Sequence, residues 1–259
     1  MINKTNFRII AAAFGVAMLA LASPPQARAA EFSAPQKSEI EKIVRDYIVA
    51  HPEILQKAMA ELEKRQAAGD AEKHQAAVKS NAQAIFSSPR QVNLGNPQGD
   101  VTFVEFFDYN CGYCKRAMAD MFALMKEDPK LKVVLKEFPV LGPGSVEAAQ
   151  VAIAVNMQDK TGKKYQQFHE KLMGGRGQAT KATALAVAKD IGMDMARIEK
   201  DFGGPEVKAT LQESFKLAEQ LGMNGTPSYV IGDSVIVGAV GLEALREKVN
   251  TSRCGKPVC

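Results

Sequence analysis

The two cysteines at positions 111 and 114 are the residues of this chain whose type and spacing best support chemistry. Val101 to Phe107, just before them, is a short β-branched and aromatic run that predicts a buried strand, whereas the apolar spacing from Cys114 to Met125 predicts a helix. Cys111 therefore lies where a strand ends and a helix begins, and there free N–H groups and the helix dipole stabilise an anion. A thiolate is such an anion, so we expect a lowered pKa at Cys111 and a disulfide with Cys114, one turn later. The pair predicts a redox site.

The segment from Glu105 to Cys114, Glu-Phe-Phe-Asp-Tyr-Asn-Cys-Gly-Tyr-Cys, resembles the active-site segment of the DsbA family of periplasmic thiol–disulfide oxidoreductases. Far downstream, Gly225-Thr226-Pro227 precedes a strand-like run and is similar to the family's cis-proline loop, which faces the two cysteines. The resemblance covers roughly Leu94 to Asn250. It implies an α/β protein with a thioredoxin fold, a helical insertion at about residues 143–221, and chemistry that uses no metal and no organic cofactor.

The two cysteines are expected to divide the work of disulfide exchange. A thiolate attacks a substrate disulfide and passes through a mixed disulfide. Cys111 is the predicted nucleophile because its sulfur is exposed at the helix end, and Cys114, shielded one turn further in, is the predicted resolving cysteine. The alternative is an inert disulfide that staples a loop, which would make the chain a non-catalytic secreted binding domain.

Two further groups are expected to face the cysteines. Glu105 lies in an apolar strand six residues before Cys111, so poor solvation should raise its pKa and suit it to relay a proton to or from Cys114. A half-exposed acid on an edge strand is the alternative for Glu105. Thr226 and Pro227 are the expected opposite wall, where the backbone before a cis proline can pair with an extended substrate strand. An ordinary trans turn proline is the alternative there.

The residues beside the catalytic groups bear on the direction of the reaction. Gly112 and Tyr113, between the cysteines, are similar to the dipeptide of DsbC-type isomerases, and Thr226 before the proline is also similar to isomerase-type relatives. Tyr113 lacks the positive charge that a histidine can bring, so it should stabilise the Cys111 thiolate less and give a less oxidising pair. We therefore expect disulfide isomerisation, with net oxidation of DsbA type as the alternative.

The first 29 residues have the pattern of a secretory signal peptide. Lys4 and Arg8 precede an apolar run, and small residues flank Arg28 as in a cleavage site. The run has about 13 residues, too few for a membrane anchor of roughly 18. Cleavage would leave a periplasmic protein and lower the formal net charge from +4 by three, to about +1. No block of basic residues follows, so nucleic acid is not an expected partner.

Export also guides the interpretation of the other cysteines, because disulfides persist in oxidising compartments. Cys254 and Cys259 are expected to form a structural disulfide at the end of the last helix; a second redox pair and a loose tail are the alternatives. A zinc site built from all four cysteines is disfavoured, because the tail would have to fold back and occupy Cys111. The three histidines share no ligand spacing and are expected on solvated helix surfaces: His51, His74 and His169.

Residues 30–90 form a predicted helical arm before the domain at residues 91–259. Two apolar stripes at helical spacing are separated by His51-Pro52, and a polar Ala- and Gln-rich stretch follows from Ala67 to Ser88. The stripes must pack either on the catalytic domain or on another copy of the arm. We favour a homo-oligomerisation arm, similar to that of ScsC-like and DsbC-like relatives, although the heptads are too few to fix the oligomer number. The expected partners are unfolded or mispaired exported proteins and a membrane redox partner.

Overall fold

The computed structural model describes residues 32–159 and 161–259, so the predicted signal peptide lies outside the described residues. The chain forms two compact units, the first ending at Met59 and the second running from Ala60 to Cys259. The second unit contains a five-stranded sheet with helices on both faces. The predicted α/β class with a helical insertion is confirmed.

The elements follow one another in a simple order. The strands are β1 (Val92–Gly95), β2 (Val101–Phe107), β3 (Leu131–Glu137), β4 (Ser228–Ile231) and β5 (Ser234–Val237). The first helices are α1 (Ala34–Ala50), α2 (Glu53–Ser80), α3 (Ala82–Phe86) and α4 (Gly112–Glu127). The remaining helices are α5 (Pro143–Gln158), α6 (Lys163–Met173), α7 (Lys181–Asp190), α8 (Met195–Asp201), α9 (Pro205–Gln220) and α10 (Leu242–Cys254).

Strand β2 lies at the centre of the sheet, whose order is β1-β3-β2-β4-β5. It runs parallel to β3 and antiparallel to β4, while β1 and β5 form the edges. Both faces of β2 are covered, which explains its nearly continuous apolar sequence. Because successive side chains alternate between faces, Glu105 shares the face of Phe103 and Phe107, which pack in the same core as α4. The strand thus aims one carboxyl group at the helix that carries the cysteines.

The two faces of the sheet carry separate cores. The larger core joins β2 and β3 to α4, to α10 and to the inserted helices α5 to α8. The smaller core lies on the opposite face and contains Val104 and Phe106 of β2 with Leu217 and Leu221 around the end of α9. The inserted helices α5 to α9 lie between β3 and β4 in the chain, where the sequence predicted an insertion.

The first unit consists of α1 and the start of α2. Helix α1 contains no buried residue, and most of its apolar side chains are exposed, including Ile43 at 61% and Tyr47 at 55%. His51 ends α1, because the backbone leaves the helical region there and α2 begins after Pro52. The predicted break between two helices is thus present, and the apolar stripe of α1 is available for packing.

The segment from Ala60 to residue 90 contributes to the second unit. Helix α2 continues without a break to Ser80, so most of the polar stretch is helical. Val78 and Ile85 are 4% and 0% exposed and pack in the smaller core with Val104 and Phe106. The core of the second unit therefore begins well before residue 91.

Candidate functional site

Cys111 is the N-cap residue of α4, at the carboxyl end of the central strand. A tight turn delivers it there: the Cys111 N–H donates to the Asp108 carbonyl at 3.0 Å, and the Asn110 N–H donates to Asp108 Oδ1 at 2.8 Å. The Cys111 sulfur then accepts a hydrogen bond from the Cys114 N–H at 3.3 Å. A sulfur takes the place of the usual serine or aspartate cap, so the free N–H groups of the first helical turn stabilise its thiolate.

The environments of the two sulfurs lead to opposite pKa shifts. The Cys114 thiol donates to the Cys111 sulfur, and this bond, with those from Thr226 and the Cys114 and Tyr113 backbone, lowers the pKa of Cys111 to about 5 although burial opposes it. The same thiol bond, followed by burial, raises the pKa of Cys114 well above that of an ordinary thiol. Both cysteines are unpaired, and they are 5% and 0% exposed, so Cys111 is less exposed than the sequence suggested. At neutral pH the site is a thiolate beside a thiol.

The Thr226–Pro227 peptide bond is cis, and its loop lies against the nucleophile. In its thiol form, Cys111 donates through Sγ to the Thr226 carbonyl oxygen at 3.2 Å. The Pro227 carbonyl accepts from the Gly238 N–H at 2.8 Å, which ties the loop to the end of β5. The structure thus brings together, from positions more than a hundred residues apart, the two segments that the sequence analysis singled out.

Glu105 lies beneath the cysteines and is 3% exposed. Burial, followed by repulsion from the Cys111 and Asp120 charges, raises the pKa of Glu105 to about 8. Tyr229 stands opposite Glu105 in the register of β2 and β4, and its buried hydroxyl has no hydrogen-bond partner among the described residues. An acid that gains and loses its proton near neutral pH therefore lies on the same face of the sheet as Cys114.

Asn110 links the turn before Cys111 to the helical insertion through hydrogen bonds, a role that the sequence analysis missed. Its amide nitrogen donates to Ser145 Oγ and to the Ala179 carbonyl, both at 2.9 Å, and its Oδ1 accepts from the Ala179 N–H at 2.7 Å. An asparagine immediately before a helix-capping cysteine could have pointed to this role. The residues near Asn110 in the sequence, however, do not show that its hydrogen-bond partners lie in the insertion.

The dipeptide between the cysteines faces outward. Gly112 is exposed and a Cβ atom there would meet no atom within 4 Å, so the position is open to a substrate chain. Tyr113 is 60% exposed, and the Arg116 guanidinium lies 4.4 Å from its ring centroid. A positive charge is thus present beside position 113, supplied from one turn further along α4 rather than by a histidine.

The prediction that His169 lies on a solvated helix surface is wrong. His169 is 2% exposed and packs against Phe107, and burial lowers its pKa to about 3. It belongs to a buried polar chain in which Tyr165 donates to Glu137 at 2.6 Å, while Tyr109 lies near both Tyr165 and His169. The spacing of four residues between Tyr165 and His169 was the overlooked sign that both share one face of α6.

Cys254 and Cys259 are joined by a disulfide at the end of α10. The neighbouring Arg253 side chain donates to Asp100 at 2.8 Å and to Asp128, the residue that ends α4, at 2.7 Å. This disulfide therefore lies at the end of α4 opposite to Cys111.

Within residues 32–159 and 161–259, no three metal-binding side chains of His, Cys, Asp or Glu converge on one point. In the same part of the chain, no helix combines the length and the apolar run needed to cross a bilayer.

Comparison with known families gives two matches along the chain. Residues 102–250 match the DSBA-like thioredoxin domain family, and residues 36–68 match the N-terminal domain of the copper resistance protein ScsC. The first match covers the redox site, the insertion and the proline loop. The second covers most of α1 and the beginning of α2.

Solved structures with the same fold include the following three proteins. A thioredoxin-like oxidoreductase from Silicibacter pomeroyi is 43% identical, with 67% of this chain and 98% of that chain covered and a TM-score of 0.63. The thiol-disulfide exchange protein alpha-DsbA2 from Wolbachia pipientis is 31% identical, with coverage of 70% and 96% and a TM-score of 0.64. A linker-deletion mutant of Proteus mirabilis ScsC is 27% identical, with coverage of 87% and 99% and a TM-score of 0.65.

Curated relatives differ in how much of their length the chain spans. It covers 24% of the Na+/H+ antiporter NhaA 1 from Salinispora arenicola, at 23% identity over 62% of this chain. It covers 76% of the probable disulfide bond formation protein D from Bacillus cereus, at 24% identity over 60% of this chain.

Proposed function

The chain belongs to the DsbA-like thioredoxin domain family, and from this premise we propose that it is a thiol–disulfide oxidoreductase that acts on exported proteins and favours disulfide isomerisation. The observation that carries the proposal is the Cys111 sulfur at the N-terminus of α4, with its pKa lowered to about 5 and the cis-proline loop 3.2 Å away. Few structural roles require a stabilised thiolate at the N-terminus of a helix.

Each chemical step has a residue in position. The Cys111 thiolate attacks one sulfur of a substrate disulfide and forms a mixed disulfide, and the other substrate sulfur leaves as a thiolate. In isomerisation, another thiolate of the substrate then attacks the substrate sulfur of this mixed disulfide, forms a new substrate disulfide and releases the Cys111 thiolate. Where no substrate thiolate attacks, Cys114 loses its proton and attacks Cys111 Sγ, which releases the substrate as a second thiolate and leaves Cys111–Cys114 oxidised. Glu105 accepts the Cys114 proton at the mixed-disulfide stage, because Cys111 is then uncharged and its charge no longer raises the pKa of Glu105.

Unfolded or mispaired exported polypeptides are the proposed substrates. An extended chain can lie over the open Gly112 and Tyr113 and pair with the backbone at Thr226, as in strand addition. Replacement of Cys114 by Ala removes the resolving thiol, so this variant should trap mixed disulfides with several exported proteins. Recovery of a single partner would instead indicate a reductase dedicated to that protein.

Isomerisation is favoured by the dipeptide Gly112-Tyr113, by Thr226 before the proline and by an arm that can join protomers. An isomerase must hold a misfolded chain near a reduced cysteine for a second exchange, and several sites on one assembly raise the effective concentration for that step. The lowered pKa of Cys111 favours the alternative, a net oxidase of DsbA type, because a stabilised thiolate makes the pair more oxidising.

The N-terminal arm is the proposed oligomerisation element, with residues 1–29 as a signal peptide that directs the protein to the periplasm. Supporting observations are the match of residues 36–68 to the ScsC N-terminal domain and the exposed apolar stripe of α1. Residues 30–90 are the proposed arm and residues 91–259 the proposed catalytic domain, with the end of the arm packed into that domain through Val78 and Ile85. We also propose that a membrane redox partner of unknown identity restores the redox state of the two cysteines.

The simplest test of the enzymatic proposal replaces the nucleophile. The wild-type protein should accelerate the reduction of insulin by dithiothreitol, whereas Cys111→Ser should leave this reduction at its uncatalysed rate. Cys254→Ser, which breaks only the distal disulfide, serves as the control and should retain activity. Equal rates for wild type and Cys111→Ser would favour the second alternative, a non-catalytic secreted binding domain.

A further inference from the structure

Three cationic side chains occur in segments beside Cys111. Lys115 follows Cys114 on α4, and its ammonium donates to the carbonyls of Gly175 and Gly177 at 3.2 and 3.5 Å. Arg176 is the exposed residue between those two glycines, so the Lys115 contact places it beside the helix. Arg116 is exposed as well and lies over the Tyr113 ring. We call Lys115, Arg116 and Arg176 the cationic rim.

The cationic rim is not neutralised by nearby acids. In the described parts of the chain none of its three residues forms an ion pair, and Lys115 is held only by uncharged carbonyls. Asp120, one turn beyond Arg116 on α4, makes no ion pair with it, and Asp108 is buried with its oxygens bonded to backbone N–H groups. Unpaired cations beside a reactive group create a positive field that is available to a partner.

This field adds to that of the helix end, because the N-terminus of α4 also carries partial positive charge. We propose that the protein selects disulfide substrates whose cysteines are flanked by carboxylates, which the cationic rim attracts to the Cys111 thiolate. The proposal rests on the thiol–disulfide exchange proposed above and names the substrate class for that site. The attack itself is unchanged: Cys111 and Cys114 together give two electrons to the substrate disulfide, which leaves as two thiolates.

The test measures the rate at which the reduced full-length protein reacts with three small peptide disulfides. These are the symmetric disulfides of acetylated tripeptide amides with cysteine between two glutamates, two glutamines or two lysines. Each rate is divided by that of the same peptide with 2-mercaptoethanol thiolate, which corrects for the intrinsic reactivity of the disulfide. We expect the acidic peptide to react about tenfold faster than the basic one at low salt, and about twofold faster in 0.5 M NaCl.

The double variant Arg116→Gln/Arg176→Gln should lower the low-salt ratio to about threefold, because only Lys115 and the helix end then remain. The matched control, Lys126→Gln/Lys130→Gln, removes two exposed cations that lie farther from Cys111: Lys126 is about 15 Å along α4 from Arg116, and Lys130 follows the end of that helix. Because the field of a charge weakens with distance, this control should change the ratio much less than the double variant does. Comparing ratios within one variant removes any effect on the reactivity of Cys111.

Equal normalised rates for the three peptides in the wild type would overturn this inference while leaving the exchange activity in place. The same conclusion would follow if the ratio survived the loss of Arg116 and Arg176, or fell equally in the Lys126/Lys130 control. If no peptide reacted faster than with 2-mercaptoethanol and Cys111→Ser changed nothing, the proposed function would fail together with the inference.

Discussion

Replacement of Glu105 by Gln should stabilise the protein at alkaline pH while slowing its chemistry. The pKa of Glu105 is raised from 4.5 to about 8 in the folded state, whereas an unfolded chain returns it to its ordinary value. The folded state therefore holds this proton more tightly, so its contribution to stability is complete below about pH 4.5 and is lost as the pH rises to 8. Gln cannot ionise, so the variant escapes this loss.

The size of the effect follows from the two pKa values. Each pH unit between them costs the wild type about 1.4 kcal/mol of unfolding free energy. The loss is below about 1 kcal/mol at pH 5 and about 4 kcal/mol at pH 8, so the stability advantage of Glu105→Gln should grow by about 3–4 kcal/mol across this range. Any constant cost of the amide cancels in this difference.

Urea unfolding of the reduced proteins at pH 5 and pH 8 measures this change directly. Glu199→Gln, at an exposed site in α8, is the control and should follow the wild type at both pH values. In the same variant series, the resolution of a mixed disulfide by Cys114 should slow about a hundredfold in Glu105→Gln only, because proton transfer by a side chain is worth roughly that factor. If wild type and Glu105→Gln lost equal stability between the two pH values, the carboxyl group would not be buried with a raised pKa.

Three other changes have defined outcomes. Cys114→Ala removes the main hydrogen bond to the Cys111 thiolate, so the pKa of Cys111, followed by thiolate absorbance, should rise by about 1–2 units from about 5. An unchanged pKa would show that this hydrogen bond is not what lowers it. Ile85→Ala should lower the unfolding free energy by about 2–5 kcal/mol, as a core site does, whereas a loss below about 0.5 kcal/mol would place Ile85 outside the core. Cys254→Ser with Cys259→Ser opens a short loop and should cost about 2 kcal/mol without loss of exchange activity, and reduced activity would indicate a second redox pair.

The redox segment could be predicted from sequence because its signals are local. An apolar run, a turn with Asp108 and Asn110, and a helix with apolar spacing are each encoded within a few residues, so the capping position of Cys111 follows from their order. The burial of Glu105 followed in the same way, because alternation along a strand and two covered faces leave its carboxyl group no access to water.

The parts that sequence reasoning missed depend on contacts between distant segments. Asn110 binds Ala179 and Ser145, and nothing near position 110 specifies those partners. His169 is polar and was placed in solvent, but the neighbouring Tyr109 and Tyr165 form a buried site that accepts a neutral imidazole. Val78 and Ile85 are sparse apolar residues in a polar stretch, and only the face of the sheet shows what they cover.

Reactivation of scrambled ribonuclease is the most direct test of the proposed isomerase activity and its dependence on the arm. The chain without residues 1–29 would be compared with Ile43→Glu, which places a charge on the exposed stripe of α1, and with Ser38→Glu, which adds the same charge on the opposite face of that helix. Solution mass is measured for each protein. We predict that wild type and Ser38→Glu are oligomers that reactivate the enzyme, whereas Ile43→Glu is monomeric and oxidises reduced ribonuclease without unscrambling it. A wild-type protein that is monomeric and oxidises but cannot unscramble would contradict the account.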